Sequence, residues 1–189
     1  LIDLVFRPGA EERTLALLVD LPDENVPDHA AWRARREMVA GWHRDLLVSG
    51  STLGLKQVEM VFYRNVRRNN ADLPPEASIY SGGNLPKQAR DIEGRGVPMR
   101  NVFAGNRILI AATELSATAP LKLAAREFGF RAATMPGFTE AMVPSLRLDY
   151  EDGWVHARAS RTEPRVRVIS EARARDAAAA RAEQVVRWM

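Results

Sequence analysis

The chain contains no cysteine, which excludes disulfides and thiolate metal ligands together. No stretch approaches the roughly 18 consecutive apolar residues of a membrane span, and no basic-then-apolar leader opens the chain, so the cytoplasm is the expected address. Several catalytic signatures are missing. No Gly-x-Gly-x-x-Gly follows a strand-like run, there is no Walker-type phosphate loop, and no Gly-x-Ser-x-Gly elbow occurs. Histidine is scarce: His29, His43 and His156 are the three, and none has a His or carboxylate partner at i+4 on a clear helix. Asp149, Glu151, Asp152 and His156 are close in sequence, but Gly153 interrupts them and no second histidine is near, so no metal site and no catalytic residue is assigned.

What is present describes a soluble globular protein. With 189 residues, 46% of them hydrophobic and 27% charged, the chain is long enough for one domain with a sizeable core. The net charge is only +3. Its two arginine-rich stretches, Arg64-Asn-Val-Arg-Arg68 and the arginines from Arg158 to Arg187, are interrupted by acids or apolar residues. They read as solvated faces rather than a nucleic-acid interface, and neither nucleic acid nor membrane is an expected partner. Because the chain starts at Leu1 rather than Met and stops at Trp188-Met189, it is expected to be a fragment or a piece of a longer protein.

The organising stretch runs from Arg107 to Tyr150. Ile108-Leu-Ile-Ala-Ala112 is apolar without alternation, as in a strand covered on both faces. Ser116 or Thr118 can cap a following helix, Pro120 suits its first turn, and Leu121, Leu123, Ala124 and Phe128 give it an apolar side. Gly129 stands where a positive φ usually ends a helix. Phe130 to Met135 is extended again and stops at Pro136-Gly137, and Phe138 to Tyr150 reads as a second helix. A short helix between two strands implies a parallel pair with a right-handed crossover.

Elsewhere, Leu1 to Phe6 alternates weakly, as an edge strand would, and Thr14 to Leu21 reads as a buried strand ending at Asp20-Leu-Pro-Asp23. Asp28 caps a helix over His29 to Val48, with Trp32, Val39, Trp42 and Leu46 on one core-facing side and Arg33, Arg35, Arg36, Glu37 and Arg44 largely elsewhere. His43, beside that stripe, reads as a surface or boundary residue. Val58 to Tyr63 is a second strand, followed by a polar, Gly- and Pro-rich connection to about Arg100 in which only Pro86 to Glu93 suggests a short helix. Trp154 to Ala159 reads as a strand and Ser170 to Trp188 as an alanine-rich helix. The expected fold is α/β: a Rossmann-like, mostly parallel sheet flanked by helices in three layers, with a long irregular loop at 64–100. The expected division is an α/β domain over 1–152 and a helical extension over 153–189, packed on that domain or leading to a further one.

Ligands of open α/β sheets sit beyond the carboxyl ends of the parallel strands. That rule selects Asp20, the 64–70 loop with Asn70, Thr113 and Glu114, and Thr118 at a helix start whose free N–H groups suit an anion. The plainer reading is local: Thr118 as a cap, Asp20 in an Asx turn, Glu114 paired with an arginine.

Thr113-Glu-Leu-Ser-Ala-Thr-Ala-Pro-Leu-Lys122, Phe130-Arg-Ala-Ala-Thr-Met-Pro-Gly-Phe138 and Ser145-Leu-Arg-Leu-Asp-Tyr150 together resemble the N-terminal domain of the aminopeptidase T family of thermophilic metallo-aminopeptidases. The resemblance implies an α/β domain joined to a larger C-terminal domain in a cytoplasmic homodimer. In that family the larger domain holds two divalent metals, of zinc or cobalt type, through Glu, His and Asp. The two-domain frame is similar to that of an iron-dependent dihydroxypyridine ring-cleaving dioxygenase, so the fold alone does not fix a reaction. No family metal ligand maps onto this chain, and the turn at Arg161-Thr-Glu-Pro164 departs from the helix expected there. Three expectations follow. The chain is the substrate-cleft half of a metal-dependent exopeptidase, itself without cofactor and not catalytic alone. It is instead a stand-alone, non-catalytic peptide- or protein-binding partner derived from that family, in a homo- or hetero-oligomer. Or it is an enzyme using Glu114 or Asp20 as acid or base at the strand-end crevice.

Overall fold

The computed structural model describes residue Phe6 and residues 8–138, 146–159 and 166–186. Among the described residues nine strands form one sheet in the order β4-β3-β2-β1-β5-β6-β7-β8-β9. Its centre is parallel. The strand β1 (Thr14–Leu21) pairs with β2 (Gln57–Arg64) on one side and with β5 (Ile108–Ala111) on the other, and β5 pairs with β6 (Arg131–Thr134). Antiparallel strands extend both flanks: β3 (Glu76–Ile79) and β4 (Val97–Pro98) beyond β2, and β7 (Leu146–Tyr150), β8 (Gly153–Ala159) and β9 (Val166–Ala172) beyond β6.

Helices cover both faces because the central strands are apolar on both. One face buries Leu15, Leu17, Val19, Met60, Phe62, Ile108 and Ile110 against Val39 of α1 (Ala30–Ser49) and Val185 of α4 (Arg175–Val186). The other buries Ala16, Leu18, Val61, Leu109 and Ala111 against Phe103 of α2 (Met99–Gly105) and Leu121 of α3 (Thr118–Phe128). Consecutive residues of β1 thus alternate between two cores, which is why the strand reads as an unbroken apolar run from Leu15 to Val19. Each of its fully buried leucines contributes about 2–3 kcal/mol relative to exposure. The β5–α3–β6 unit is a parallel βαβ, ended on the helix side by Gly129 at φ 73°.

Several expectations need correction. Residues 146–150 are strand, not helix: Leu146-Arg-Leu-Asp-Tyr150 has period two and pairs with both β6 and β8, while 139–145 lie outside the described residues. The edge strand expected at Leu1 to Phe6 also falls there, apart from Phe6, which is buried. The connection after β2 is not structureless. It carries β3, a 3-10 helix at Ala89–Ile92 and β4, pinned by Tyr80 N–H to Met60 O, Ala89 N–H to Pro22 O and Met99 N–H to Pro75 O. Pieces this short have no readable periodicity, and their glycines and prolines hide them. The strand expected at Trp154 to Ala159 is present as β8, but a further strand, β9, follows it where helix was expected to begin, and the helix starts only at Arg175.

The long helix differs in detail. His29, not Asp28, is its N-cap, accepting from the Trp32 N–H, while Asp28 pairs with Arg36 at 2.7 Å. Arg35 and Arg36 turn inward, 2% and 4% exposed, because each finds a carboxylate there. His43 is buried, its ring 6.2 Å from that of Tyr80.

Candidate functional site

The chain leaves β1 for β2 on one side and returns to β5 on the other, so the strand order reverses between β1 and β5. Asp20 ends β1 there, 1% exposed. It does not form an Asx turn of its own; Asp23 does, accepting from the N–H groups of Asn25 and Val26. Instead Asp20 Oδ1 accepts from Glu114 N–H (2.8 Å) and Trp32 Nε1–H (3.0 Å), and Oδ2 from Leu115 N–H (3.0 Å). Burial pushes its carboxyl up to about 6; the Leu115 and Glu114 amides, the Trp32 indole and Arg35 oppose the rise without cancelling it. Its neighbour across the ladder is Tyr63, whose hydroxyl is driven well up by burial, with the Asp20 charge adding and a hydrogen bond to Thr113 opposing.

Glu114 closes this network. Its carboxylate takes Arg35 Nη1 at 2.5 Å and His29 Nε2 at 3.3 Å, while Arg35 Nε donates to Phe138 O at 2.8 Å. The point where strand order reverses is therefore filled by the protein's own ions. Asp20, Thr113 and Glu114 meet, but their polar atoms face each other rather than a vacant crevice.

The opening lies one strand further along. A cavity of about 430 Å³ sits beyond the ends of β5 and β6, lined by Asn70, Ser116, Thr118, Ala119, Lys122, Thr134, Pro136 and His156. Asn70, in the left-handed region at φ 59°, reaches it from the loop after β2. Its Oδ1 accepts from the Ala119 N–H (3.1 Å) and Ser116 Oγ (3.0 Å), and its N–H donates to Ser116 O (2.7 Å); Asn69 Oδ1 takes the Ser116 N–H (2.8 Å). Thus α3 is capped from a residue far away in sequence. Thr118 is its first residue rather than its cap, and its hydroxyl lies 2.9 Å from that of Thr134 and 3.1 Å from that of Ser116.

His156 arrives through the sheet register. Thr134 of β6 stands opposite Arg147 of β7, which stands opposite His156 of β8. Residues opposite one another share a face, so the ring joins Thr134 on the α3 side, two strands or about 10 Å away. Lys122, one residue after buried Leu121 on α3, supplies a cation that no ion pair engages among the described residues.

Of the five candidates, Asn70 and Thr118 line the cavity, while Asp20, Thr113 and Glu114 form the network behind it. Sequence reasoning does not single out Ser116, Lys122, Thr134 or His156 as ligands. The strand-end rule, through Asn70 and Thr118, and the Ser116–Thr118 cap reading point near them, but the sheet pairing that gathers them is not local. No group of three or more His, Asp or Glu residues capable of holding a metal occurs among the described residues; Asp152 pairs with Arg181. No described helix is long and apolar enough to cross a membrane.

A family model, the phosphoglucomutase/phosphomannomutase C-terminal domain, matches residues 135–187, a little over a quarter of the chain. No curated protein and no solved structure matches. The family match overturns the resemblance to aminopeptidase T. It takes in Met135 to Phe138 and Ser145 to Tyr150, part of the residues that carry that resemblance, and these are similar to a phosphomutase domain instead. The exopeptidase half, the peptide-binding derivative and the metallopeptidase description are withdrawn with it. The matched segment also includes Arg161-Thr-Glu-Pro164, the sequence that departs from the aminopeptidase pattern.

Proposed function

We propose that this chain binds a phosphorylated hexose in the cavity beyond β5 and β6, as part of a protein of the phosphohexomutase kind. One observation carries the reading: the segment matched by the phosphoglucomutase/phosphomannomutase model contributes Pro136 and His156 to that cavity. The lining chemistry supports it. Lys122 supplies charge for a phosphate, and His156 adds an imidazole. The hydroxyls of Ser116, Thr118 and Thr134 and the Asn70 amide supply the paired donors and acceptors that sugar hydroxyls need. The volume suits a small polar ligand. We also take the helix-covered parallel centre as Rossmann-like, which puts this cavity at the strand ends where such folds bind ligands.

Calorimetric titration of the intact chain with glucose 6-phosphate and mannose 6-phosphate tests the reading, with glucose and inorganic phosphate as controls. Saturable binding of a hexose phosphate, lost with glucose and weakened about tenfold by Lys122→Met, is expected. Equal binding of inorganic phosphate alone, or no saturable binding of either hexose phosphate, would refute it.

A further inference from the structure

A second cavity, of about 400 Å³, lies on the opposite flank of the sheet, between β3 and the 3-10 helix at Ala89–Ile92. Its floor is aromatic. Tyr80 is packed edge-on against Phe62 (6.0 Å, 80°) and against His43 (6.2 Å, 71°), and its hydroxyl donates to Gly83 O. The ring is thus held at both ends before any ligand arrives. Leu85 and Ile92 extend the apolar wall.

The rim is charged, with a net positive balance. Asp91 is present, but its Oδ2 accepts from the backbone N–H groups of Lys87 (2.8 Å) and Gln88 (3.1 Å), so it serves the fold of its own turn. Lys87 and Arg95, both exposed at the mouth, make no ion pair among the described residues. Two cations and one committed anion leave a single positive charge over an aromatic floor.

We infer that this cavity is a binding site for a small aromatic carboxylate, its ring against Tyr80 and Phe62 and its carboxylate between Lys87 and Arg95. An aromatic guest gains offset or edge contacts with rings already fixed. The planar fork of arginine matches a carboxylate in two parallel hydrogen bonds, which a neutral ligand cannot use. The site shares no lining residue with the strand-end cavity, so it stands apart from the reading as a hexose-phosphate protein.

The test uses the intact chain with 2-naphthoate, its neutral counterpart 2-naphthol, and amide chemical shifts. Naphthoate is expected to bind saturably and to move the Ser81 to Asn84 amides. Naphthol should bind at least about tenfold more weakly, and Lys87→Met/Arg95→Met should weaken naphthoate about tenfold without lowering the melting temperature. Lys122→Met should leave naphthoate binding unchanged, which separates a failure here from a failure at the other cavity. No saturable naphthoate binding, equal affinity for naphthol, shifts confined to other residues, or a double variant that retains full affinity would each overturn the proposal.

Discussion

Asp20 sets burial against hydrogen bonding in one group, and replacing it by Asn separates the two. In the folded chain its carboxyl is raised from the ordinary 3.8 to about 6, chiefly by burial. A raised carboxyl binds its proton more tightly folded than unfolded. Its contribution to stability is therefore complete below pH 3.8 and is lost as pH rises through 6, at about 1.4 kcal/mol per unit. Over that window the loss amounts to about 3 kcal/mol. Asn cannot titrate, so Asp20→Asn removes this slope. It also puts an amide NH2 where Oδ2 now accepts the Leu115 N–H, stranding a buried donor at a cost of about 1–3 kcal/mol.

The two effects have different signatures. At pH 4 the variant should be less stable than the parent by the cost of the stranded donor alone. By pH 7.5 the gap should have closed by about 3 kcal/mol, bringing the two level or reversing their order. Urea denaturation from pH 4 to 8, plotted as the difference between the two chains, reads this directly. A difference that stays flat would mean that the three donors around Asp20 fully compensate its burial. One that widens with pH would mean they outweigh it. Either result refutes the reasoning.

Two ion pairs of equal length give a second comparison. Arg35–Glu114 and Arg64–Glu24 both measure 2.5 Å, but Arg35 is 2% exposed while Arg64 and Glu24 are 44% and 72% exposed. Glu114→Gln should cost about 3 kcal/mol in denaturant unfolding by leaving a buried guanidinium uncompensated, and Glu24→Gln less than about 0.5 kcal/mol; equal costs would sink the argument. Gly153→Ala would drive a β-carbon into Glu171 O and to 2.7 Å from Ala172 Cα, both backbone. The strands β8 and β9 must then separate, and a loss of about 3 kcal/mol is expected in thermal melts. Gly50→Ala meets only ordinary contacts from 3.5 Å at a helical φ of −61°, and should be neutral or stabilising by about 0.5 kcal/mol. Asn70→Ala removes the remote cap of α3 and should cost about 1 kcal/mol, with faster amide exchange at Ala119 as the specific readout.

The parallel centre is legible because its strands are buried on both faces, and in a chain of this size a continuous apolar run such as Leu15 to Val19 or Ile108 to Ala112 suits little but a covered strand. The flanks are not. Strands as short as Glu76–Ile79 and Val97–Pro98 carry too few residues for periodicity, and the helix expected through Leu146–Tyr150 overlooks an alternation that points to strand. Site chemistry is legible only where it follows strand ends. That rule reaches Asp20, Thr113 and Glu114, yet cannot foresee that Arg35 turns inward to pair with Glu114 or that the core-facing Trp32 spends its indole N–H on Asp20. Nor can it find His156, which depends on register across two antiparallel pairs.

These details make the strand-end cavity composite. Asp20 holds the amides of Glu114 and Leu115, which fixes where Ser116 emerges; Ser116 then engages Asn69 and Asn70, which cap α3 and set Thr118 beside Thr134. That wall is built by residues before 135, whereas Pro136 and His156 lie within the segment matched by the phosphomutase model. Neither part encloses the cavity alone. The shape of this cavity therefore depends on how a buried carboxylate at the end of β1 positions the loop after the adjacent strand β5, and weakening that anchor should loosen the cavity even though Asp20 does not line it.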